Sequence, residues 1–380
     1  MYRNSSLTIL CTALITLINY SSPCCAQATH SNIAEEKQPS LTIKKEISNA
    51  YINKEGHVVL KTTFQNVGAF SEGLAAVERE GKVGYIDKSG KIVLAPKYII
   101  HKAVEYACGT RGSIDTYLAL ELPDCAFSEG LAAVRLAQNQ QGRNWGYIYK
   151  SGKIAIPPQF DEAGCFREGL APAVLGGKLG FIDKTGQFII EPRFGCQIKD
   201  NGLALPKDSY FSEGLAAVTL CGKGCTYVNR MGKLIMPLQF HDINAFSEGV
   251  ALVSKRKNQH LTKLPDGTLI KVGGKDEWYF INKSGKQCIK GKFYGGKSFA
   301  QGLAPVCVCK GPYCKWGFID KNGRFVIKLK FEGADSFSCG LTSVCLKGKF
   351  GCIDRKGNLV IKPQYDWPVV FSEGLAAVKQ

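Results

Sequence analysis

Three cysteines in one short segment are the side chains best placed to do chemistry. Cys307, Cys309 and Cys314 could bind zinc through their thiolates, or two of them could form a disulfide. No fourth cysteine or histidine stands at a spacing typical of a zinc finger. The segment therefore favours a disulfide between Cys309 and Cys314, and we predict no metal site.

Other cysteines fall where a turn or an insertion would bring two thiols together. The three pairs are Cys345 with Cys352, Cys221 with Cys225, and Cys108 with Cys125. Of the 16 cysteines in the chain, three precede residue 28, which leaves an odd number, 13, beyond it. Export to an oxidising compartment would favour disulfides, and at least one thiol should then stay reduced or pair between chains.

Acidic side chains recur at fixed positions, but their replacements argue against catalysis. Asparagine can form the same turn as aspartate and cannot act as a general base. The position is occupied by Asp87, Asp183, Asp320 and Asp354, but also by Asn53, Asn229 and Asn282. The glutamate of a recurrent F-S-E-G phrase is likewise replaced by Gln301 and Cys339.

Other catalytic signatures do not occur in the sequence. The five histidines have no spacing suited to metal binding or to a nucleophile and its base. We find no phosphate-binding loop and no nucleophile elbow. The sequence therefore predicts a protein that is not an enzyme and that has no catalytic residue, no cofactor and no metal.

A cluster of basic residues lies in residues 254–278, a stretch that interrupts the recurrent pattern. The candidate ligand contacts there are Lys255, Arg256, Lys257, Lys263, Lys271 and Lys275. Pro265-Asp266-Gly267 between two runs predicts an extended hairpin with a basic rim. Insertions in repeat proteins often form the binding face, although a tolerated surface elaboration explains this one equally well.

Two phrases recur eight times and must position all of these residues. One begins with F-x-x-G and continues into an apolar run, at Phe70, Phe127, Phe166, Phe211, Phe246, Phe299, Phe337 and Phe371. The other is similar to GYIDKSGK and has its glycine at Gly56, Gly90, Gly152, Gly186, Gly232, Gly285, Gly323 and Gly357. A period of about 20 to 50 residues is typical of solenoids, propellers and arrays.

Residues 70–98 show what one repeat is expected to form. Residues 74–77 and 83–86 are apolar runs joined by a polar turn with a glycine, which predicts a β-hairpin. Asp87-Lys88-Ser89-Gly90 then predicts a tight turn into a third strand that ends at Pro96. The chain is therefore predicted to be all-β, with about eight tandem three-strand meanders that pack through their recurrent aromatic residues.

The phrases Trp145-Gly146-Tyr147-Ile148 and Trp316-Gly317-Phe318-Ile319, with their flanking F-S-E-G segments, resemble the WG-containing repeat family of bacterial proteins. The resemblance covers about residues 51–378, although only these two units keep the Trp-Gly pair itself. It implies a β-repeat scaffold that serves as an interaction module. It implies no catalytic residues.

The strands with which the repeat region begins and ends are compatible with two arrangements of the repeats. Residues 371–378 read as the first strand of a hairpin, whereas the first clear unit opens at Tyr51 with a second strand. These two strands could pair in a closed propeller-like ring. Units of about 34 residues are short for propeller blades, so we prefer an open superhelical array.

The beginning of the chain is typical of an export signal. Arg3 precedes an apolar stretch over residues 7–18, and Ala26-Gln27-Ala28 suits a signal peptidase. A lipoprotein anchored through Cys24 or Cys25 is the alternative. We expect a signal peptide over 1–28, a polar leader over 29–47 and a β-repeat domain over 48–380, with insertions near 99–126 and 254–278.

The chain is basic, with a formal net charge of +17, and this balance favours anionic partners. Part of the charge stands at one repeated turn, where we interpret the lysines as solvated: Lys54, Lys88, Lys184, Lys283 and Lys321. We expect a periplasmic or extracellular scaffold, without a transmembrane segment after signal cleavage, that binds a protein or an anionic envelope polymer rather than a specific nucleic acid. A structural spacer of the envelope is the alternative, and a hydrolase of an envelope polymer is less favoured.

Overall fold

A computed structural model describes residues 49–99, 126–136, 143–195, 197–199, 202–204, 208–220, 223–257, 260–263, 269–272, 275–310 and 313–379. These residues form strands, bends and turns, and no helix occurs among them. The predicted all-β class and its tandem repetition are confirmed. The predicted signal peptide and leader, and most of the first insertion, lie outside the described residues.

The strands follow one another with short connections. The first seventeen are β1 Asn49–Ile52, β2 Val58–Thr62, β3 Asn66–Ser71, β4 Leu74–Arg79, β5 Lys82–Asp87, β6 Ile92–Ile99, β7 Leu131–Arg135, β8 Trp145–Tyr149, β9 Ile154–Phe160, β10 Glu162–Ala163, β11 Ala171–Leu175, β12 Lys178–Ile182, β13 Phe188–Gly195, β14 Gln197–Lys199, β15 Gly202–Ala204, β16 Phe211–Ser212 and β17 Leu215–Leu220.

The remaining strands continue the same pattern. They are β18 Gly224–Asn229, β19 Asp242–Ile243, β20 Val250–Lys257, β21 His260–Lys263, β22 Leu269–Val272, β23 Lys275–Asn282, β24 Gln287–Phe293, β25 Gly295–Gly296, β26 Ala304–Lys310, β27 Tyr313–Ile319, β28 Phe325–Phe331, β29 Gly333–Ala334, β30 Leu341–Leu346, β31 Lys349–Asp354, β32 Leu359–Tyr365, β33 Phe371–Ser372 and β34 Leu375–Lys379.

The strands of each repeat are antiparallel. We name the repeats A to H by their F-x-x-G phenylalanines, in the order Phe70, Phe127, Phe166, Phe211, Phe246, Phe299, Phe337 and Phe371. Units E to H each form one four-stranded sheet. The strands of units A and B, and those of units C and D, are joined into one sheet per pair of units by single residue pairs, Ile99 with Arg135 and Gly195 with Thr219. In unit G the strand order is β29-β30-β31-β32, and units E and F repeat it with β19-β20-β23-β24 and β25-β26-β27-β28. The predicted three-strand meander is confirmed by β30 to β32. A two-residue strand, such as β29, adds a fourth member that the sequence analysis missed.

Unit H joins distant parts of the chain and closes the array. β1 pairs antiparallel with β34, which places Ala50 opposite Val378 and Tyr51 opposite Ala377. The sheet order is β2-β1-β34-β33. The structure therefore has the closed arrangement, and the preferred open superhelical array is corrected, although each sheet keeps open edges of its own. Pairing satisfies backbone groups of β1 and β34 that an open array would leave exposed.

The contacts between neighbouring units confirm the closure, because H meets A through contacts that recur at most other junctions. The ring of Tyr51 in H packs on that of Phe70 in A, with centroids 4.8 Å apart. The Ser372 hydroxyl of H donates to the Phe70 carbonyl at 2.6 Å. The A-to-B junction has the same bond, from Ser71 to Phe127, at 2.6 Å. The F-x-x-G phenylalanines are buried in all eight units, as the packing hypothesis predicted.

The turn glycines complete these junctions. Each lies against an apolar residue of the preceding unit's third strand. A methyl group added at Gly90 in A would stand 2.7 Å from the end of the Leu60 side chain in H, and one at Gly56 in H would stand 3.5 Å from Ile361 in G. The positive φ, 85° at Gly90, is the feature that requires glycine, and the small residue also lets the units pack closely.

The glycine of the W-G phrase has a different role, within its own sheet. The third strand bulges where it passes the middle strand: Val83 faces Tyr98, but Tyr85 faces Leu94. A Cβ at Gly84 would lie 2.6 Å from the Leu94 carbonyl and from the Pro96 nitrogen. The absence of a side chain at Gly84 leaves room for the bulge, whereas unit E forms the same bulge with Tyr279 at this position.

The bulge also explains why proline does not end the third strand, as the sequence analysis expected. β6 continues to Ile99, beyond Pro96. Because Pro96 lies in the bulge opposite Gly84, its missing N–H removes no ladder hydrogen bond. The same reasoning applies to Pro363 in β32, opposite Gly351.

Unit D lacks this glycine, and its third strand is interrupted. Thr226 stands at the position, and its hydroxyl donates to the Met236 carbonyl at 2.7 Å. The third segment of unit D has only isolated bridges, Val228 to Leu234 and Cys225 to Phe240, in place of a continuous strand. Units E and H also lack the glycine, with Tyr279 and Ala50 at the position, and keep continuous third strands. The loss of the glycine alone therefore does not explain the interruption in unit D.

Candidate functional site

A belt of glutamates links the units at the F-S-E-G turns. In seven units the third residue of the phrase is hydrogen-bonded to the backbone of the next unit. Glu72 accepts from the Gly130 N–H at 3.1 Å, and Glu213 accepts from the Gly249 N–H at 3.0 Å. Glu373 closes the series by accepting from the Gly73 N–H at 3.2 Å.

Four of the five turn lysines that were interpreted as solvated pair with this glutamate belt, which corrects the interpretation for them. Lys54 has no ion pair among the described residues, and the preceding unit has Cys339 in place of the glutamate. The Lys150 ammonium lies 3.0 Å from Glu72, and Lys88 lies 3.0 Å from Glu373. Lys184, Lys283 and Lys321 make the same pair with the glutamate of the preceding unit. These lysines are half-exposed, and each carboxylate joins two units.

The environment of the glutamates favours their charged form. Burial alone would raise the pKa of Glu72, but the Lys150 ammonium and the Gly130 amide outweigh it and hold the pKa below its ordinary value. The same balance lowers the pKa of Glu213, through Gly249 and Lys283, and that of Glu373. A carboxylate that stays ionised and bonded in this way is a structural group rather than a proton donor.

Where the sequence replaces the belt glutamate or its lysine partner, the contact between units changes. Arg230 replaces lysine in unit D and donates to the Glu168 carbonyl at 2.6 Å. Gln301 replaces glutamate in unit F and still accepts from the Gly340 N–H at 3.1 Å. Cys339 has no such contact with the next F-S-E-G turn among the described residues. The repeated acids thus hold the ring together, as the predicted structural role requires.

The aspartates of the second phrase are turn residues, as predicted. Asp87 accepts from the backbone N–H groups of Ser89 and Lys91 at 2.9 and 3.0 Å. Asn229 makes the equivalent bond to Lys233 at 2.9 Å. Asparagine therefore replaces aspartate without loss of the turn.

The three cysteines of unit F are brought together. Cys309 and Cys314 face each other across β26 and β27 and form the predicted disulfide. The sulfur of Cys307 lies within 4.8 Å of both. The bonded pair leaves this cluster without three thiolates, so it is not a metal site in the state described.

The other predicted disulfides differ in outcome. Cys345 lies opposite Phe350, and Cys352 opposite Ser343, so the register does not pair the two cysteines and both are reduced and buried. Burial raises the pKa of Cys352 to about 12, which keeps the thiol protonated and unreactive. Cys225 is also reduced, and its proposed partner Cys221 lies outside the described residues, as do Cys108 and Cys125.

The basic insertion is a hairpin, but its charges are partly neutralised. β21 and β22 pair with each other, as Pro265-Asp266-Gly267 predicted. Arg256 lies 3.2 Å from Asp276 on the facing strand, and the Lys255 ammonium lies 3.3 Å from Gln239. The side chains of the remaining candidates lie outside the described residues: Lys257, Lys263, Lys271 and Lys275.

The sequence analysis missed a surface on the third strands. Immediately after the turn, two adjacent apolar side chains are both exposed in most units. They are Val58 and Val59, Ile92 and Val93, Leu234 and Ile235, Phe325 and Val326, and Leu359 and Val360. The signal was present in the sequence, because an apolar pair follows the turn glycine too regularly for a strand that alternates between buried and exposed residues.

A family model for the WG containing repeat matches residues 50–82, 84–98, 145–178, 180–195, 226–258, 279–308, 316–350 and 350–380. These segments make up more than half of the chain and fall in all parts of the ring. The chain belongs to the WG-containing repeat family. The family membership explains the recurrent middle strand, in which the W-G glycine faces the bulge.

Solved structures give weaker likenesses. The computationally designed Ika8 protein is 10% identical with a TM-score of 0.47, and the match covers 83% of this chain and 96% of that one. A eukaryotic initiation factor is 8% identical with a TM-score of 0.43, over 87% and 98% of the two chains. A quinonprotein alcohol dehydrogenase-like protein from Bacteroides thetaiotaomicron is 10% identical with a TM-score of 0.33, over 88% and 91%. We draw no functional conclusion from them.

Two other observations complete the comparison. Among curated proteins, none matches this WG-repeat chain significantly. Within the described ranges, no helix has the length and hydrophobicity needed to cross a bilayer.

Proposed function

We propose that this WG-repeat protein is an exported, non-catalytic scaffold that binds an anionic component of the cell envelope through lysine-rich third strands. The observation that carries the proposal is the set of basic side chains exposed on the third strands of units F, G and H. Its members are Arg324, Lys328, Lys330, Lys362 and Lys61. Among the described residues, these side chains form no ion pair, in contrast to the turn lysines.

The distribution of acids supports the proposal. The belt glutamates pair with lysines of the next unit, and the turn aspartates accept hydrogen bonds from backbone N–H groups of their own turns. Of the five basic residues, Arg324 lies close enough to a turn aspartate, Asp320, to lower the pKa of that carboxyl. Glu332 and Asp366, which follow two of these strands, pair with Lys315 and Lys349 instead. Lys290 and Lys292 on the third strand of unit E are also exposed and form no ion pair among the described residues. The positive charge without an ion pair therefore extends over units E to H, where it would attract a polyanion.

A polyanion-binding experiment tests the proposal. Long-chain polyphosphate immobilised on a resin should retain the wild-type protein at low salt and release it as salt rises. The triple variant Lys328→Gln, Lys330→Gln and Lys362→Gln should bind about tenfold more weakly or worse. A matched control, Lys153→Gln, Lys178→Gln and Lys233→Gln, removes the same net charge from exposed positions in units B, C and D.

The outcomes separate the candidate functions. Weaker binding by the first variant alone supports the lysine-rich strands as the contact. Equal weakening by both variants would show attraction to net charge only and would contradict the proposed site. No retention of the wild type at low salt would favour the alternative, a structural spacer.

A further inference from the structure

The third strands of units F, G and H expose apolar side chains as well as lysines. We call this surface, formed by β28, β32 and β2, the FGH edge. Each of these strands ends its sheet, so one side of its backbone is not covered by another strand. The exposed fractions are 43% and 50% for Phe325 and Val326, 52% and 43% for Leu359 and Val360, and 39% and 53% for Val58 and Val59.

The three apolar pairs lie at the same position in three units that follow one another and are in contact. The turn glycine before the pairs of units G and H packs against the buried residue that comes after the pair of the previous unit. A methyl at Gly357 would stand 3.2 Å from Ile327, next to Val326, and one at Gly56 would stand 3.5 Å from Ile361, next to Val360. Successive units in contact therefore present the three pairs at equivalent places.

Basic side chains flank the apolar pairs on the same strands. Arg324 precedes Phe325, Lys328 and Lys330 follow Val326, Lys362 follows Val360, and Lys61 follows Val59 by two residues, all of them exposed. The acids in the turns of this edge are Glu55, which is exposed, and Asp320 and Asp354, which are half-buried and accept hydrogen bonds from backbone N–H groups. The exposed basic residues of the edge outnumber them. A second copy of the chain would bring like charges together at such a surface, which disfavours self-association.

From this combination we propose that the FGH edge binds the surface of a lipid bilayer that carries anionic headgroups. The six apolar side chains enter the boundary between headgroups and acyl chains, and the lysines and Arg324 contact the anionic groups. Long basic side chains suit this position because their stems cover apolar surface while their charged ends stay in the polar layer. The inference rests on the proposed function and names the anionic partner.

If the FGH edge binds the bilayer surface, vesicle binding should depend on both the basic and the apolar side chains of the edge. The full chain should sediment with vesicles of phosphatidylglycerol and phosphatidylcholine and should not sediment with phosphatidylcholine alone. Each lysine neutralised on the edge should weaken partitioning about fivefold, since one basic residue near an anionic surface contributes about that factor. High salt should weaken vesicle binding without abolishing it, because salt screens the charges and leaves the apolar contact in place.

A pair of double variants isolates the apolar contact. Leu359→Ser with Val360→Ser should lower partitioning into anionic vesicles by about tenfold or more, because the two side chains no longer leave water on binding. The matched control, Leu234→Ser with Ile235→Ser, removes an exposed apolar pair from unit D. Thermal melting of all three proteins checks that the folded ring is retained, since these residues are exposed in every case.

The results distinguish this inference from the proposed function. Loss of vesicle binding by the unit G variant, with unchanged retention on polyphosphate, supports insertion at the FGH edge. Wild-type retention on polyphosphate without sedimentation on anionic vesicles would overturn the bilayer proposal and leave the polyanion proposal intact. Equal vesicle binding by the wild type and both variants would also overturn it, because the apolar pair would then contribute nothing.

Discussion

The F-S-E-G glutamate has a positive φ, which is unfavourable for a residue other than glycine, and its side chain contacts the next unit. Glu213 has a φ of 54° and Gly214 a φ of 82°, and Ser212 pairs with Leu215 around them. Two successive positive φ values fit a two-residue type I′ hairpin, for which asparagine or glycine is the usual first residue. A glutamate there is explained by its reach to Gly249 and Lys283 in the next unit.

Substitution of Glu213 separates the two parts of that contact. Glu213→Gln keeps an acceptor for the Gly249 N–H, as Gln301 does naturally, and removes only the charge. We expect a loss of about 0.5 kcal/mol in the free energy of unfolding, the scale of a half-exposed ion pair. Glu213→Ala removes both and should cost about 1 to 2 kcal/mol.

Urea denaturation of the wild type and the two variants measures these differences. The contact account requires the alanine variant to be the less stable of the two. Equal stability of the glutamine and alanine variants would mean that the backbone hydrogen bond to Gly249 contributes nothing.

At the scale of the element, the two kinds of glycine impose different constraints. Gly214 has a positive φ but open space around it, since nothing would meet a Cβ within 4 Å. Gly317, in the Trp-Gly pair, would place a Cβ 2.7 Å from the Ile327 carbonyl and 3.0 Å from the Leu329 nitrogen. The first glycine is required by backbone conformation and the second by the close approach of a bulged strand.

Alanine substitutions should therefore differ in cost. Gly214→Ala should destabilise the protein by about 1 kcal/mol, from the positive φ alone. Gly317→Ala should cost more, about 2 to 3 kcal/mol, because the bulge of β28 must move. Thermal melting compares the two, and a Gly317→Ala variant as stable as Gly214→Ala would contradict the bulge argument.

Much of each element could be predicted from the sequence, because a pattern that recurs in eight repeats can be told apart from the variable residues of any one repeat. The hairpin of Leu74–Arg79 with Lys82–Asp87, the aspartate turn and the buried phenylalanines all follow from local patterns. The short fourth strand, as at Gly333–Ala334, was missed because two glycine or alanine residues have no strand signal. The continuation past Pro96 was missed because a bulge is set by the partner strand.

At the scale of the whole molecule, the ring depends on contacts that no local pattern contains. The sequence showed that residues 371–378 and Tyr51 have complementary phases, but repeat length favoured an open array. β1 pairs with β34, Ser372 bonds to Phe70, and Glu373 contacts Gly73. The junction that closes the ring therefore uses the contacts found at most other pairs of neighbouring units. The candidate surface on the FGH edge was likewise hidden, since it requires three neighbouring units.

Closure of the ring is the central claim, and backbone hydrogen exchange of β1 tests it most directly. Val378 in β34 lies opposite Ala50, and proline at position 378 would remove an N–H that faces β1. Val378→Pro should therefore increase exchange in residues 49–52, although they are far away in sequence. Ala173→Pro, at the equivalent position in β11 of unit C, is the control for a general loss of stability. Faster exchange at 49–52 with Val378→Pro alone is the predicted result, and unchanged exchange there would contradict the closed ring.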